Sequence, residues 1–233
     1  MGGIRVDADT QMSRVPGLFA CGECSGGMHG ANRLGGNSLS DLLVFGKLSG
    51  EAASDYIKKL NQKPQIDENQ IKSIVRNATV ILNRESGENP YLLHEKLVEN
   101  MQNSVGIVRT EELLSEGITK LEDLKLSYKN IKASGASQYN PGWHEALALR
   151  NLIITAESVA RSALMREESR GAHTRVDFPG EKDEWLDYNI VISKNEIGEM
   201  QTNKVPREKP NKELQRIANL SMESLENEIF SEK

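Results

Sequence analysis

The chain has almost no cysteine. Its two thiols, Cys21 and Cys24, stand three residues apart. That is too close to staple a fold, so a disulfide framework is excluded and a reducing compartment is indicated. Long apolar runs are missing as well, and none approaches the roughly 20 residues that span a bilayer. Excess charge of one sign is absent: 29 Lys and Arg against 34 Asp and Glu leave a formal charge of −5. There is no bulk basic footprint, so no nucleic-acid partner is expected. No glycines fall in Gly-x-Gly-x-x-Gly spacing after a strand, so the phosphate-cradling turn of a dinucleotide site is missing. Internal repeats are missing too. What remains is 233 residues, 37% hydrophobic and 27% charged, enough for one or two domains with a sizeable core.

Glycine, by contrast, is concentrated in one place. The stretch from Cys21 to Leu48 packs Gly26, Gly27, Gly30, Gly35 and Gly36 around a Glu, a His and an Arg, then turns into an apolar helix. A surface connection does not need that much backbone permissiveness, whereas a loop that approaches a ligand closely does.

Residues 1–60 read as short strands plus a buried helix. Ile4-Arg5-Val6-Asp7 alternates like a strand, and Val15 to Cys21 ends apolar on both faces, as in a buried strand. Asn37 or Ser38 is a plausible N-cap. The helix behind it, through Leu39, Leu42, Leu43, Phe45 and Leu48, is apolar nearly all round in its first half and is expected to be buried. So few strands cannot bury such a face alone. That implies either a fragment, opened abruptly at Met1-Gly2-Gly3, or an obligate partner. Residues 61–88 are a linker with one amphipathic helix.

From Asn89 the pattern is helical. Asn89-Pro90 and Thr110 start two helices, and a long one follows the Asn140-Pro141-Gly142 break, from Trp143 to about Glu168. Short connections predict an antiparallel, three-helix bundle-like domain over 89–193. Gly171 suits the left-handed C-cap position of the long helix. Tyr188 to Ile192 reads as an edge strand. Residues 194–233 form a tail, linker-like over 194–213, with a last amphipathic stretch from Leu214 to Phe230.

Several residues carry candidate chemistry. Glu23 follows a strand at its carboxyl end, where an acid can accept sugar hydroxyls; a solvated loop carboxylate is the other reading. Arg33, beside naked glycine backbone, suits a carboxylate ligand, or is a surface arginine. His29 is open between donor, base and packed imidazole. The helix start at Ser38 and Leu39 favours negative charge, as on a redox ring that becomes anionic when reduced. Cys21 and Cys24 form a lone CxxC without the further ligands a zinc site needs, so a small strand-end role competes with redox or metal chemistry. Arg170 and His173 read as capping residues that pair with Glu167 or Asp177.

Order and spacing then become specific. Val15-Pro16-Gly17-Leu18-Phe19-Ala20, Gly22-Glu23, His29 through Leu39, and Leu43-Val44-Phe45-Gly46 together resemble the flavoprotein subunit of succinate dehydrogenase and fumarate reductase. Residues 89–193 resemble that family's C-terminal helical domain through Glu168-Ser169-Arg170-Gly171-Ala172-His173, Phe178-Pro179 and Trp185-Leu186. The resemblance implies an α/β segment of a FAD-binding domain followed by an all-α C-terminal domain. It implies FAD as cofactor, with Gly22, Glu23, Asn37, Ser38 and Leu39 contacting it, Arg33 and Gly36 binding the dicarboxylate, and His29 nearby. Hydride transfer between succinate or fumarate and flavin is the implied reaction.

The family's dinucleotide motif, its flavin-attaching His and its proton-transferring Arg have no counterpart here. The resemblance thus implies a C-terminal part of such a flavoprotein, expected neither to hold FAD tightly nor to turn over alone, and leaves no catalytic residue assigned. The missing N-terminal part, an iron–sulfur subunit and membrane-anchor subunits are the implied partners. The implied location is cytoplasmic, peripheral on the inner face of the membrane. An L-aspartate oxidase-like flavoprotein uses the same loop; the Gly35-Gly36 pair, Ser40-Asp41 and Arg170 to His173 favour the succinate/fumarate branch. A non-enzymatic helical interaction module is the reading of a different class.

Overall fold

The computed structural model describes residues 1–231. They divide into two compact units, Met1–Gly180 and the remainder from Glu181.

The core of the first unit lies among three helices: α3 (Pro90–Ser104), α4 (Glu111–Tyr128) and α5 (Pro141–Met165), each packed on the other two. Their starts follow from side-chain caps. Asn89 accepts from the Tyr91 amide at 2.9 Å, Thr110 from Leu113 at 3.2 Å and Asn140 from Trp143 at 2.9 Å. Proline occupies the first position of α3 and of α5, where its missing N–H costs nothing. Leu93, Leu114, Leu121, Leu149 and Ile153 are fully buried between them, each contributing about 1.5–3 kcal/mol of apolar transfer. Gly117 permits the close approach of α4 to α3: a Cβ there would lie 2.9 Å from the Ser104 Cβ, and Asn100 Nδ2 donates to its carbonyl at 2.9 Å. The helix α2 (Glu68–Asn83) is capped by Asp67 and docks on α5 through Ile81 and through Trp143 Nε1, which donates to Ala78 O at 2.8 Å.

Arg175 closes this layer. Its side chain is buried, and Nη1 donates to the last carbonyls of α5, Ala163 O at 3.1 Å and Leu164 O at 3.0 Å. Its other edge grips Asp177 at 2.8 and 2.7 Å, and Asp177 in turn accepts from the Glu111 amide at the start of α4. A short parallel pairing of β1 (Val108–Arg109) with β2 (Thr174–Arg175) runs beside it.

The N-terminal stretch departs from the sequence reading. Its expected strands appear only as single bridges, Ile4 with Ser25, Val6 with Ser13 and Met12 with Phe19. No neighbouring strand among the described residues offers them a ladder. The helix α1 (Asn37–Lys58) forms, but its first half is not buried: Leu39 and Leu43 are 72% and 77% exposed. The apolar pattern is there, but no element among the described residues covers Leu39 and Leu43. The far half is held by Tyr56, which packs edge-on against Phe19 at 6.2 Å.

The second unit corrects the expectation of an all-α domain ending in a linker. A 3₁₀ turn at Asp183–Asp187 leads into an antiparallel hairpin of β3 (Tyr188–Lys194) and β4 (Met200–Pro206). Residues 200–206 are polar enough to read as linker, but pairing satisfies their backbone. Asn195 shapes the connection by accepting from the Ile197 and Glu199 amides, with Gly198 at φ +84°. Lys204 Nζ lies 4.1 Å above the Trp185 ring and 4.4 Å above that of Tyr188, a cation–π clasp that pins the strand. Two helices follow, α6 (Lys212–Ala218) and α7 (Met222–Ser231). Among the described residues no helix is long and apolar enough to cross a membrane.

Candidate functional site

Gly22 to Cys24 forms a single 3₁₀ turn rather than a strand end. Gly22 sits at φ +75° with its missing Cβ filled by Leu42 of α1: a methyl there would lie 2.6 Å from Leu42 Cδ2. The turn therefore lies directly on the helix, held by Ser25 Oγ, which donates to Gly22 O at 2.8 Å. Glu23 projects from this turn into solvent. Cys21 is half-buried and Cys24 exposed; the Cys24 thiol donates to Cys21 O at 3.3 Å.

The loop from His29 to Gly36 then crosses to the start of α1. His29 is a packed imidazole, its Nε2 3.3 Å from Asp41 Oδ2, with both side chains buried. The contact is electrostatic, without a well-directed hydrogen bond. The expected N-cap at Asn37 or Ser38 is corrected by one position. Gly36 is the cap, at φ +83° in the left-handed region, and Asn37 is the first helical residue. That conformation suits glycine and explains the pair's second member.

No side chain caps α1, and its first turn holds no acid. Ser38 and Leu39 thus lie in an open helix N-terminus beside the loop, where partial positive charge favours an anion or an anionic ring edge. Arg33 is exposed. Its Nη1 donates to Leu34 O at 3.3 Å, and its amide points at Met1 Sδ at 3.2 Å. Among the described residues no acid neutralises it. The fold brings Arg33, Gly36 and the helix start into one continuous segment, and seats Gly22 on α1; Glu23 and Arg33 do not touch.

Two features escaped the sequence reading. Asp41 is a buried acid amid Leu39, Leu42 and Leu43, and its isolation on an apolar helix is the signal that it has a partner. Gly171 is not the C-cap of α5, which ends at Met165. It lies in a separate turn, at φ +60°, pressed on Ala31. The expected pairings there are also corrected. Arg170 grips the fully buried Glu168 at 3.0–3.2 Å, with Arg166 on the same carboxylate. Asp177 belongs to Arg175, whose hydrogen bonds hold that carboxyl well below the usual carboxylate range. His173 bridges Arg109 Nη1, 2.8 Å from Nδ1, and Arg166 O, 3.1 Å from Nε2. A guanidinium only donates, so Nδ1 accepts and the proton resides on Nε2. Burial, and then Arg109 and its neighbouring cations, lower the imidazole's pKa and keep it neutral.

A glycine-rich, arginine-bearing loop feeds the helix start of α1 and is seated beside a three-helix layer, which makes a candidate ligand segment joined to a helical domain. The family model for the fumarate reductase flavoprotein C-terminal domain matches residues 94–220, more than half of the chain, and the chain belongs to that family. Residues 1–39 match a FAD binding domain. The chain is 38% identical over 180 residues to the fumarate reductase flavoprotein subunit of Escherichia coli, covering 76% of this chain and 30% of that protein. It is 36% identical over 187 residues to the succinate dehydrogenase flavoprotein subunit of Rickettsia conorii, covering 79% and 31%. The solved Mycobacterium smegmatis Sdh1 complex in the apo form superposes with a TM-score of 0.84 at 42% identity, over 89% of this chain and 36% of that one. The chain thus spans about a third of the length of the relatives it matches.

Proposed function

We propose that this chain supplies the carboxylate grip and one wall of the flavin pocket in an FAD-dependent oxidoreductase that interconverts succinate and fumarate. The observation that carries the reading is the segment from His29 to Leu39. It holds an exposed Arg33 that no acid among the described residues neutralises, and a glycine cap with no side chain on the α1 start, where the Asn37 amide donates to Leu34 O at 3.3 Å.

The residues present fit FAD on structural grounds. The uncapped, acid-free first turn of α1 can receive an electron-rich ring edge at Ser38 and Leu39. Gly22 keeps the Glu23 turn flush with α1, and Glu23 faces solvent with its carboxylate available to sugar hydroxyls. Asn37, the first residue of α1, follows the Gly36 cap directly. Bound FAD supplies hydride acceptance and donation.

The chain's own part is positioning. The Arg33 fork binds and orients one carboxylate of a dicarboxylate in bidentate fashion, with the Gly36 backbone beside it unobstructed by any Cβ. The helix-start amides favour the charge that builds on the ring. The proton donor and the phosphate cradle belong to the remainder of the flavoprotein. An iron–sulfur subunit and membrane anchors are proposed as partners of the assembled enzyme, which would place the chain at a cytoplasmic membrane face. The test is an assay of the complete flavoprotein: fumarate-dependent oxidation of a reduced dye supports the reading, and oxygen-dependent oxidation of aspartate with no fumarate activity contradicts it.

A further inference from the structure

We propose that the Arg170–His173 turn is a positioning element for Arg33, so that the grip on the dicarboxylate depends on a clamp supplied by the helical layer. This rests on the reading of Arg33 given above.

Arg33 has little to place it. Among the described residues its guanidinium bonds only to the adjacent Leu34 carbonyl, so its position is inherited from the loop backbone. Two residues earlier, that backbone meets the turn. The Ala172 amide donates to Ala31 O at 3.3 Å. A Cβ on Gly171 would stand 2.5 Å from Ala31 O, 2.6 Å from Ala31 C and 2.8 Å from Ala31 Cβ. These are mostly backbone atoms and cannot swing aside as a side-chain tip could. Glycine is required twice over at this position, by space and by its φ of +60°.

The turn itself is rigid. The Arg170 amide donates to His173 O at 2.8 Å and the His173 amide to Arg170 O at 3.0 Å. Arg170 is anchored on the buried Glu168, and the His173 ring is strung between Arg109 and Arg166 O. A rigid turn pressed on Ala31 transmits its position to Arg33. If the turn moves, the fork moves with the loop.

The test uses wild type, Gly171→Ala and His173→Ala, both as this chain and as the complete FAD-loaded flavoprotein. In the chain, hydrogen exchange over residues 28–36 is expected to speed up about tenfold or more in Gly171→Ala while the α3–α5 core is unchanged. In the flavoprotein, the succinate Kd is expected to rise about tenfold or more, with KM rising more than kcat falls and flavin content unchanged. His173→Ala loosens the turn without adding bulk at Ala31, and gives the same two shifts should Gly171→Ala fail to fold. Unchanged exchange over 28–36 together with an unchanged succinate Kd overturns the proposal while leaving the reading of Arg33 intact. Accelerated exchange in a protein whose wild type binds no succinate upholds the clamp and overturns that reading instead.

Discussion

His29 Nε2 lies 3.3 Å from Asp41 Oδ2, and both side chains are buried. The pair joins the first residue of the Arg33 loop to the second turn of α1, so it fixes one end of the ligand segment as the Gly171 contact fixes its middle. Removing the acid leaves a buried imidazole without its partner. Asp41→Ala is expected to cost about 1–3 kcal/mol, read as a lower urea midpoint at unchanged m-value. The cycle with His29→Ala should show coupling of at least about 0.5 kcal/mol; strict additivity would mean that the two side chains are merely neighbours.

The two adjacent glycines of the loop make unequal demands. Gly36 sits at φ +83° while Gly35 does not adopt positive φ, and a methyl group added at either would meet no atom within 4 Å. Gly36→Ala is therefore expected to cost about 1–2 kcal/mol through backbone strain alone. Gly35→Ala should stay within about 0.5 kcal/mol of wild type. Thermal or urea unfolding of the two variants side by side checks the contrast, and equal losses would contradict it.

His173 gives the first unit a pH dependence of defined sign. Its folded pKa is lowered by burial and by Arg109, Arg175 and Arg166, so the unfolded chain takes up a proton at higher pH than the folded one. The stabilisation is fully present above the unfolded value of about 6.5 and is lost as pH falls from there toward the folded pKa. The slope cannot exceed about 1.4 kcal/mol per pH unit for one proton, and partial exposure of the ring reduces it. Denaturant midpoints measured between about pH 5 and pH 7.5 should fall toward acid, and His173→Gln should flatten that dependence. An unchanged slope in the variant would assign the effect to another group.

Local chemistry made much of this chain legible. Asn89, Thr110 and Asn140 announce their helices, and the apolar spacing of α3, α4 and α5 defines the core. The strands before Cys21 and the apolar face of α1 follow the same kind of pattern, yet the described residues offer the strands only single bridges and leave Leu39 and Leu43 uncovered. Pattern reports what a segment can bury against, not whether the partner is present. The β3–β4 hairpin was hidden for the opposite reason: its second strand is polar, and pairing rather than hydrophobicity holds it. At the site, Arg33 and the glycines stood out because their residue types are unusual in a loop. Asp41 and Gly171 did not, because their meaning lies in contacts with residues 12 and 140 positions away.

The central claim is that Arg33 grips a dicarboxylate while Glu23 and the α1 start serve the flavin. Succinate titration of the FAD-loaded complete flavoprotein, followed through the flavin absorbance, separates the two roles. Arg33→Lys keeps the charge but loses the bidentate fork. It is expected to weaken succinate binding and fumarate turnover about 100-fold with flavin retained, whereas Glu23→Gln should weaken flavin retention and leave the succinate Kd of the loaded protein unchanged. Arg33→Lys that binds succinate and turns over like wild type would contradict the account.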